Sequence, residues 1–304
     1  MQTVNTGQSV TLEILAQDWQ RSLTAKNMSP KTVKTYMEAV TGLDAYLGKQ
    51  GMPRSADAIT REHIEAYVND LLERWTPATA NNRFRGLQQF WKWCAAEGEV
   101  RKSPMANMKP PKLPETLPPV LTDDELSRLL ADAKGNSFTQ RRDMALMRVL
   151  LDTGARAAEV MNLTVDDVDR DLGEIRVTGK GNRERRIAYG QSTGHAIDRY
   201  LRSRQQHRHR GLPWLWIGER GRITDSGLRQ MLERRGRSAG VERVHAHRFR
   251  HAAADAYLKR GGSDVNLEAR MGWRSPTMIR RYAAANRLQR ANDEHRRLAP
   301  GERV

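Results

Sequence analysis

The chain has 304 residues, of which 52 are Lys or Arg and 36 are Asp or Glu, so its formal net charge is +16 at neutral pH. No apolar run approaches the roughly 18 residues that a membrane-spanning helix needs, which excludes a transmembrane protein and predicts a soluble, globular one. The single cysteine, Cys94, excludes an internal disulfide and a zinc site of paired cysteines. The N-terminus lacks a secretion pattern, so we expect a cytoplasmic protein. The large positive charge predicts that it binds a polyanion.

Residues 1–110 carry a helical pattern. Apolar side chains recur at steps of three and four residues within 33–47, 64–72 and 84–94, and a weaker repeat covers 11–24. Ser29 followed by Pro30 predicts a helix start, because serine caps the first amides and proline fits the first turn. The sequence therefore predicts a helical domain over 1–110, with about four helices and no strand.

A proline-rich segment follows this domain. Five of the eleven residues from 109 to 119 are proline, which prevents a helix and favours an extended, stiff connector. We therefore expect a linker over 111–119 and a second domain over 120–304. The basic excess lies mainly after the first domain, because 1–110 holds 14 Lys and Arg against 11 Asp and Glu, whereas 111–304 holds 38 against 25.

The second domain begins with helical patterns. Thr122 and Glu125 have the spacing of a capping box at a helix start. Helical periodicity returns over 141–151 and breaks at 153–154. Further helices are predicted over the following segments: 224–236, 246–260, 264–271 and 275–297.

Between these helices the pattern changes to that of strands. Residues 174–178 and 184–189 flank a Gly-Lys-Gly-Asn turn, which predicts two short antiparallel strands, and 215–217 is a candidate third strand. The predicted fold is therefore mainly α with a small antiparallel β-sheet. A helical N-terminal domain precedes a mixed α+β domain.

Four motifs in the second domain hold residue types suited to binding a phosphodiester. In the first, Gly154 permits a sharp turn and Arg156 begins the next helix, where the helix N-terminus and a bidentate guanidinium both favour an anion. A surface arginine paired with Glu159 one turn later is the structural alternative. In the second, Lys180 lies at the tip of the glycine-rich turn, where its ammonium group either reaches into a groove or stays solvated.

The third motif is the segment 244–251. On a helix, His247, Arg250 and His251 share one face, which places a titratable imidazole beside a guanidinium. A zinc site is a competing interpretation, but two arginines in the segment repel a cation and no carboxylate is near in the sequence. The fourth motif, 271–282, contains Trp273 and Tyr282, and taken alone such a tyrosine is usually a core or rim residue.

Together and in this order, the four motifs resemble those of the tyrosine recombinases of the phage integrase family. The resemblance covers nearly the whole chain, because the N-terminal helices resemble that family's SAM-like core-binding domain and the proline segment its interdomain connector. It implies a two-domain, Cre- or Xer-like recombinase. It also implies that Glu159 and His251 support a site whose catalytic residues are Arg156, Lys180, His247, Arg250, Trp273 and the nucleophile Tyr282.

The resemblance implies a site-specific recombinase that cuts and rejoins duplex DNA through a 3′-phosphotyrosine. Arg156 and Arg250 would bind the non-bridging phosphate oxygens, His247 would accept a proton or donate to the phosphate, and Lys180 would protonate the departing 5′ oxygen. Trp273 stands where many members have histidine, and its indole N–H can donate but cannot act as acid or base. Because cationic side chains supply the positive charge, we expect no metal and no cofactor.

The expected partners are double-stranded DNA and, by resemblance, further copies of the chain in a tetramer on two synapsed sites, with no membrane and no identified accessory DNA-bending protein. Integration or excision of a mobile element such as a phage, plasmid or transposon is the main functional prediction, which Trp273 favours. Three alternatives stay open: Xer-like resolution of chromosome or plasmid multimers, a nicking and resealing topoisomerase, and a non-catalytic DNA-binding accessory protein.

Overall fold

The structure, a computed structural model, describes residues 10–114, 120–179 and 183–273 together with Ala291, Asn292, His295, Arg296 and Leu298. Backbone contacts divide the chain into two compact units, Met1–Thr116 and Leu117–Val304. The described residues form α-helices, two short 3₁₀ turns and five short strands, which confirms the predicted fold class. No helix among them is long and apolar enough to cross a membrane.

The N-terminal unit is helical, as predicted. Ser29 begins the second helix by accepting a hydrogen bond from the amide of Thr32 at 3.2 Å, with Pro30 in the first turn. Thr76 caps the fourth helix in the same way, through the amide of Thr79 at 3.3 Å. The α-helices in the described part of this unit are α1 (Leu12–Ala25), α2 (Pro30–Lys49), α3 (Arg61–Arg74) and α4 (Pro77–Glu97).

Aromatic side chains fill the core of this unit. Trp19 of α1 stacks on Tyr36 of α2 and meets the ring of Phe90 on α4 edge-on, each at a centroid distance of 5.3 Å. Cys94 is fully buried beside them, and burial raises the pKa of its thiol to about 12. The thiol is therefore protonated at neutral pH and belongs to the core. Of the predicted linker, residues 111–114 have no regular structure and 115–119 lie outside the described residues.

The second unit mixes helices with small sheets. The predicted capping box is present, since Thr122 Oγ1 accepts from the amide of Glu125 at 3.1 Å and the Glu125 carboxylate accepts from the amide of Thr122 at 2.9 Å. Its helices are α5 (Asp123–Asp132), α6 (Phe138–Thr153), α7 (Ala157–Met161), α8 (Gln191–Arg204), α9 (Asp225–Ser238), α10 (Ala246–Lys259) and α11 (Asp264–Met271). The helix predicted over 275–297 falls almost entirely outside the described residues.

Helix α8 was not predicted from the sequence. It opens on a polar Gln-Ser-Thr-Gly turn, and two of its five buried side chains, Thr193 and Arg204, are polar, so few apolar residues mark its buried face. Tertiary packing stabilises it instead, because Ile197 and Tyr200 are fully buried and Tyr200 donates to the carbonyl of Leu215 at 2.8 Å.

The two strands predicted around the glycine-rich turn are present. β2 (Glu174–Gly179) pairs with β3 (Arg183–Ala188), and β1 (Val168–Asp169) adds to the other edge of β2, so this antiparallel sheet has the order β1-β2-β3. The candidate third strand at 215–217 does not join this sheet. Its last residue instead begins β4 (Ile217–Gly218), which pairs with β5 (Gly221–Arg222) in a separate hairpin. The residue before it, Trp216, lies in the core and donates to the carbonyl of Val160 at 2.9 Å.

A buried ionic network joins three helices of the second unit. Asp143 on α6 is fully buried and forms salt bridges with Arg142 at 2.7 Å and with Arg235 of α9 at 2.9 Å. Arg235 also contacts Asp132 of α5 at 3.0 Å. Removing one member of such a network leaves buried charge without compensation.

We therefore expect Asp143→Ala to lower the free energy of unfolding by about 3–5 kcal/mol, because the buried guanidinium of Arg142 and the largely buried one of Arg235 lose their shared carboxylate. The midpoint and slope of urea unfolding measure this loss. Glu233→Ala is the control, since Glu233 contacts Arg229 at 3.4 Å on the exposed face of α9, and it should change stability by less than about 1 kcal/mol. Equal effects of the two substitutions would contradict the role given to Asp143.

Candidate active site

A sharp turn between α6 and α7 positions the first predicted arginine. Gly154 ends α6 with a φ of 60°, and a Cβ there would lie 2.7 Å from Met271 Sδ, so only glycine fits. Two residues later Arg156 is the N-cap of α7, and its amide donates to Glu159 Oε2 at 2.8 Å. The side chain of Arg156 is 45% exposed and donates to Glu159 Oε1 at 2.9 Å.

The Glu159 carboxylate is saturated with hydrogen bonds. Arg185 of β3 donates to both of its oxygens, Nη1 to Oε1 at 3.0 Å and Nη2 to Oε2 at 2.8 Å. Together with the two donors of Arg156, each carboxylate oxygen therefore accepts twice. Burial by itself raises the pKa of Glu159, but hydrogen bonds from Arg185 and Arg156 and the charge of Arg185 outweigh it, and the net pKa lies below its usual value. The buried carboxylate is thus ionised at neutral pH.

Arg250 lies on α10, and only 3% of its surface is exposed. Its guanidinium donates to two main-chain carbonyls, Gly154 at 2.6 Å and Met271 at 2.8 Å, and so ties the end of α6 to the end of α11. Burial, followed by the positive charge of Arg156, lowers the pKa of Arg250 to about 10. It remains protonated at neutral pH, and no carboxylate among the described residues forms a salt bridge with it.

The two histidines of the third motif differ in exposure. His245 is the N-cap of α10, so His247 lies in its first turn and stays exposed, whereas His251 one turn later is buried. Their rings meet edge to face at a centroid distance of 4.3 Å. Desolvation and then the positive charge of Arg250 lower the pKa of His247 below its ordinary value. His247 is therefore a neutral imidazole at pH 7.

Trp273 is the last member of this group. It directly follows Gly272, the residue that ends α11. The indole is 8% exposed, and its ring centroid lies 5.5 Å from the guanidinium carbon of Arg250. The carbonyl of Gly272 accepts from Arg156 Nη2 at 2.9 Å, so the end of α11 contacts both arginines. Trp273 therefore packs the site through its ring.

The charges at this site do not balance. Three guanidinium groups (Arg156, Arg185 and Arg250) lie at this site with one ionised carboxylate, that of Glu159, which pairs with Arg156 and Arg185 but not with Arg250. The residual positive charge lies beside the exposed imidazole of His247 and the part-exposed Arg156. Such an arrangement binds an anion and stabilises negative charge that develops on it. Among the residues that the structure describes, no three His, Cys, Asp or Glu side chains converge as metal ligands would.

The structure brings most of the predicted site residues together. Lys180 and Tyr282 lie outside the described residues. The others contact one another in pairs, Arg156 with Glu159, His247 with His251 and Arg250 with Trp273, and the charges of Arg250 and Arg156 act on His247. Sequence reasoning did not single out Arg185. A signal existed, because Arg185 and Ile187 share one face of β3 and Ile187 is buried, so Arg185 points towards the core, where an arginine needs a carboxylate.

Comparison with known proteins agrees with this geometry. The model of the "Phage integrase family" matches residues 119–289, and that of the "Phage integrase, N-terminal SAM-like domain" matches residues 15–97. The tyrosine recombinase XerD of Caulobacter vibrioides is 33% identical over 246 residues, which cover 78% of this chain and 79% of that protein.

Two solved structures have a similar fold. One is the XerH site-specific recombinase bound to palindromic difH substrate in a post-cleavage complex, with a TM-score of 0.74 and 19% identity over 93% of this chain and 83% of that one. The other is the Tn1549 transposon integrase in complex with transposon right end DNA, with a TM-score of 0.74 and 20% identity over 95% of this chain and 100% of that one. At these identities the likeness concerns the fold alone.

The environment of His247 is testable by NMR titration of the histidine Cε1–H signals, with His247→Gln used to assign the signal. We expect the pKa of His247 to lie below 6.5, its ordinary value. Arg250→Gln should raise it, because a neighbouring positive charge is removed while the amide can still donate to a carbonyl. A His247 pKa at or above 6.5 in the wild type, or one that Arg250→Gln leaves unchanged, would contradict this electrostatic description.

Proposed function

The chain belongs to the phage integrase family, and on that basis we propose that it is a site-specific DNA recombinase that cuts and rejoins strands through a 3′-phosphotyrosine on Tyr282. The observation that carries this proposal is the uncompensated positive charge around Arg156 and Arg250. In a strand-cleavage reaction, negative charge builds up on the phosphate as the nucleophile attacks. Guanidinium groups already held in place stabilise that charge without reorganising.

The roles of the remaining residues follow from their chemistry. The exposed, neutral imidazole of His247 can accept the phenolic proton of Tyr282 or, once protonated, donate to the phosphate. Lys180 is the proposed acid that protonates the departing 5′ oxygen. Trp273 supports the site by packing against Arg250, and its indole N–H is a donor that does not titrate.

The products follow from this attack. Phosphorus gains a bond to the Tyr282 oxygen and loses its bond to the 5′ oxygen, which leaves with a proton as a free hydroxyl. Because the phosphotyrosine ester retains the energy of the broken bond, a 5′-hydroxyl of another strand can attack it and release the tyrosine. The strands are thereby rejoined without ATP.

The biological role that we propose is integration or excision of a mobile element. Trp273 stands where many members of the family have histidine, and this difference supports the role. Xer-like resolution of multimers is the second candidate, because XerD of Caulobacter vibrioides is 33% identical. A substrate with two sites in direct repeat on one circle, compared with two sites on separate molecules, distinguishes preferential resolution from integration.

We propose that the N-terminal unit and the second unit both bind duplex DNA, with 1–110 as the core-binding domain, 111–119 as the linker and 120–304 as the catalytic domain. The net charge of +16 supports a polyanionic partner. The proposed assembly is a tetramer of this chain on two synapsed sites, and a lambda integrase tetramer bound to a Holliday junction, with a TM-score of 0.70, has a similar chain fold.

The nucleophile is tested with nicked suicide duplexes drawn from DNA flanking the gene, in magnesium-free buffer with chelator. We expect the wild type to form a covalent protein–DNA band on denaturing gels and Tyr282→Phe to form none, since phenylalanine lacks the attacking oxygen. Tyr189→Phe is the control, because Tyr189 donates to the carbonyl of Asp169, away from the site network. An adduct that persists in Tyr282→Phe would overturn the assignment, and DNA binding without any adduct would favour an accessory protein.

The role of Arg250 is tested by Arg250→Lys, which keeps one positive charge but loses the planar fork that bonds two carbonyls. We expect the cleavage rate at saturating protein to fall by about 10²- to 10³-fold, as for loss of one transition-state donor. The dissociation constant for DNA should change little, because many phosphate contacts contribute to binding and Arg250 is one among them. The matched control is Arg128→Lys, since Arg128 also donates to two carbonyls, those of Ala239 and Gly240, but is exposed. Similar rate losses in both variants would count against the assignment.

A further inference from the structure

Arg185 lies against the two groups that bind the side chain of Arg156, the Glu159 carboxylate and the Gly272 peptide. Its side chain is 18% exposed, binds both oxygens of Glu159, and donates from Nε to the carbonyl of Arg270 at 3.1 Å. We propose that Arg185 is a positioning residue for DNA strand cleavage, which acts by occupying Glu159 so that the guanidinium of Arg156 remains available to the scissile phosphate. This inference rests on the proposed function.

The hydrogen bonds to Glu159 show how this works. Arg156 reaches the carboxylate with one side-chain nitrogen, Nη1, at Oε1 alone, because Oε2 is taken by Arg185 Nη2 and by the Arg156 amide. A guanidinium and a carboxylate frequently form a two-bond fork when both oxygens are accessible. Arg185 prevents Arg156 from closing that fork, so the outer edge of Arg156 stays free of the carboxylate.

Charge balance leads to the same conclusion. A buried carboxylate paired with one arginine is neutralised, and so is that arginine. With Arg185 present, Glu159 is already compensated, and the charge of Arg156 is in excess. Without Arg185, Glu159 would be the sole counter-ion of Arg156, and the phosphate would compete with a carboxylate for it.

A second contact supports the same role. Gly272 accepts a hydrogen bond from Arg156 Nη2, and a Cβ at Gly272 would lie 3.2 Å from the guanidinium carbon of Arg185. Arg185 thus packs directly against the peptide that orients the other edge of Arg156. Arg185 therefore contacts both groups that accept hydrogen bonds from the terminal nitrogens of Arg156, the Glu159 carboxylate and the Gly272 peptide.

The test is a double-mutant cycle on the single-turnover cleavage rate of a suicide duplex at saturating protein, with the dissociation constant for DNA measured separately. The variants are Arg185→Met, Glu159→Gln and the two combined. Arg185→Met should slow cleavage by about 10- to 100-fold, because a misplacement of about 1 Å in a positioned group can cost about 100-fold in rate. The dissociation constant should change by less than about threefold. In the Glu159→Gln background the same substitution should slow cleavage by less than about threefold, because no carboxylate is left to capture Arg156.

Arg186→Met is the matched control, because Arg186 lies on the same strand, is 57% exposed and contacts Asp169 rather than Glu159. It should leave the cleavage rate within about twofold of the wild type. Thermal unfolding of each variant establishes that it is folded at the assay temperature. If Arg185→Met is not folded at that temperature, Arg185→Lys replaces it in the cycle, since lysine keeps the charge but loses the two-bond fork. Arg185→Lys should slow cleavage less than Arg185→Met, and this loss should again be smaller in the Glu159→Gln background.

The outcomes separate the two claims. An equal rate loss from Arg185→Met in both backgrounds would mean that Arg185 acts independently of Glu159 and would overturn the proposed positioning role. An unchanged rate in Arg185→Met would do the same. If the wild type forms no adduct that depends on Tyr282, the proposed function fails, and the inference fails with it.

Discussion

The active site depends on one buried carboxylate, that of Glu159, which accepts hydrogen bonds from two arginines at once. Burying a charge is costly unless it is paired and hydrogen-bonded. Glu159 meets this requirement with four donors from Arg156 and Arg185. Because Arg156 begins α7 and Arg185 lies on β3, this single carboxylate joins a helix start to a sheet that the chain forms later.

A second constraint comes from main-chain carbonyls. Arg250 is buried, and within the described part of the chain it bonds the carbonyls of Gly154 and Met271 and no carboxylate, so its positive charge orders the backbone without being neutralised there. The helix ends that supply these carbonyls also bear Arg156 and Trp273. An anion that enters the site therefore meets cations that are already in position. The mutual repulsion of these cations is offset by the packing of the surrounding helices. This is electrostatic preorganisation, and the loss of favourable pairing at Arg250 is the cost of it.

Much of this was predictable from the sequence by local rules. The capping box at Thr122, the proline start of α2 and the hairpin around the glycine-rich turn each depend on residues within a few positions of one another. The grouping of Arg156, His247 and Arg250 did not follow from a local rule but was implied by the resemblance of the four motifs to the phage integrase family. Helix α8 was not predicted, because few apolar residues mark its buried face, and it is stabilised by burying Ile197 and Tyr200 in the core.

By itself, the sequence determined the helical class of the first unit, the two strands of the second, the excess of basic charge and the identities of the candidate catalytic residues. The helical class, the two strands and the charge follow from composition and from short-range patterns, whereas the identities of the candidate catalytic residues follow from the resemblance of the four motifs to the phage integrase family. Only the tertiary structure decided that Arg185, 26 residues after Glu159, shares its carboxylate with Arg156. It also decided that 215–217 belongs to the core and a separate hairpin. The physical reason is that such pairings depend on which buried groups must satisfy one another across distant elements, and no local pattern records that.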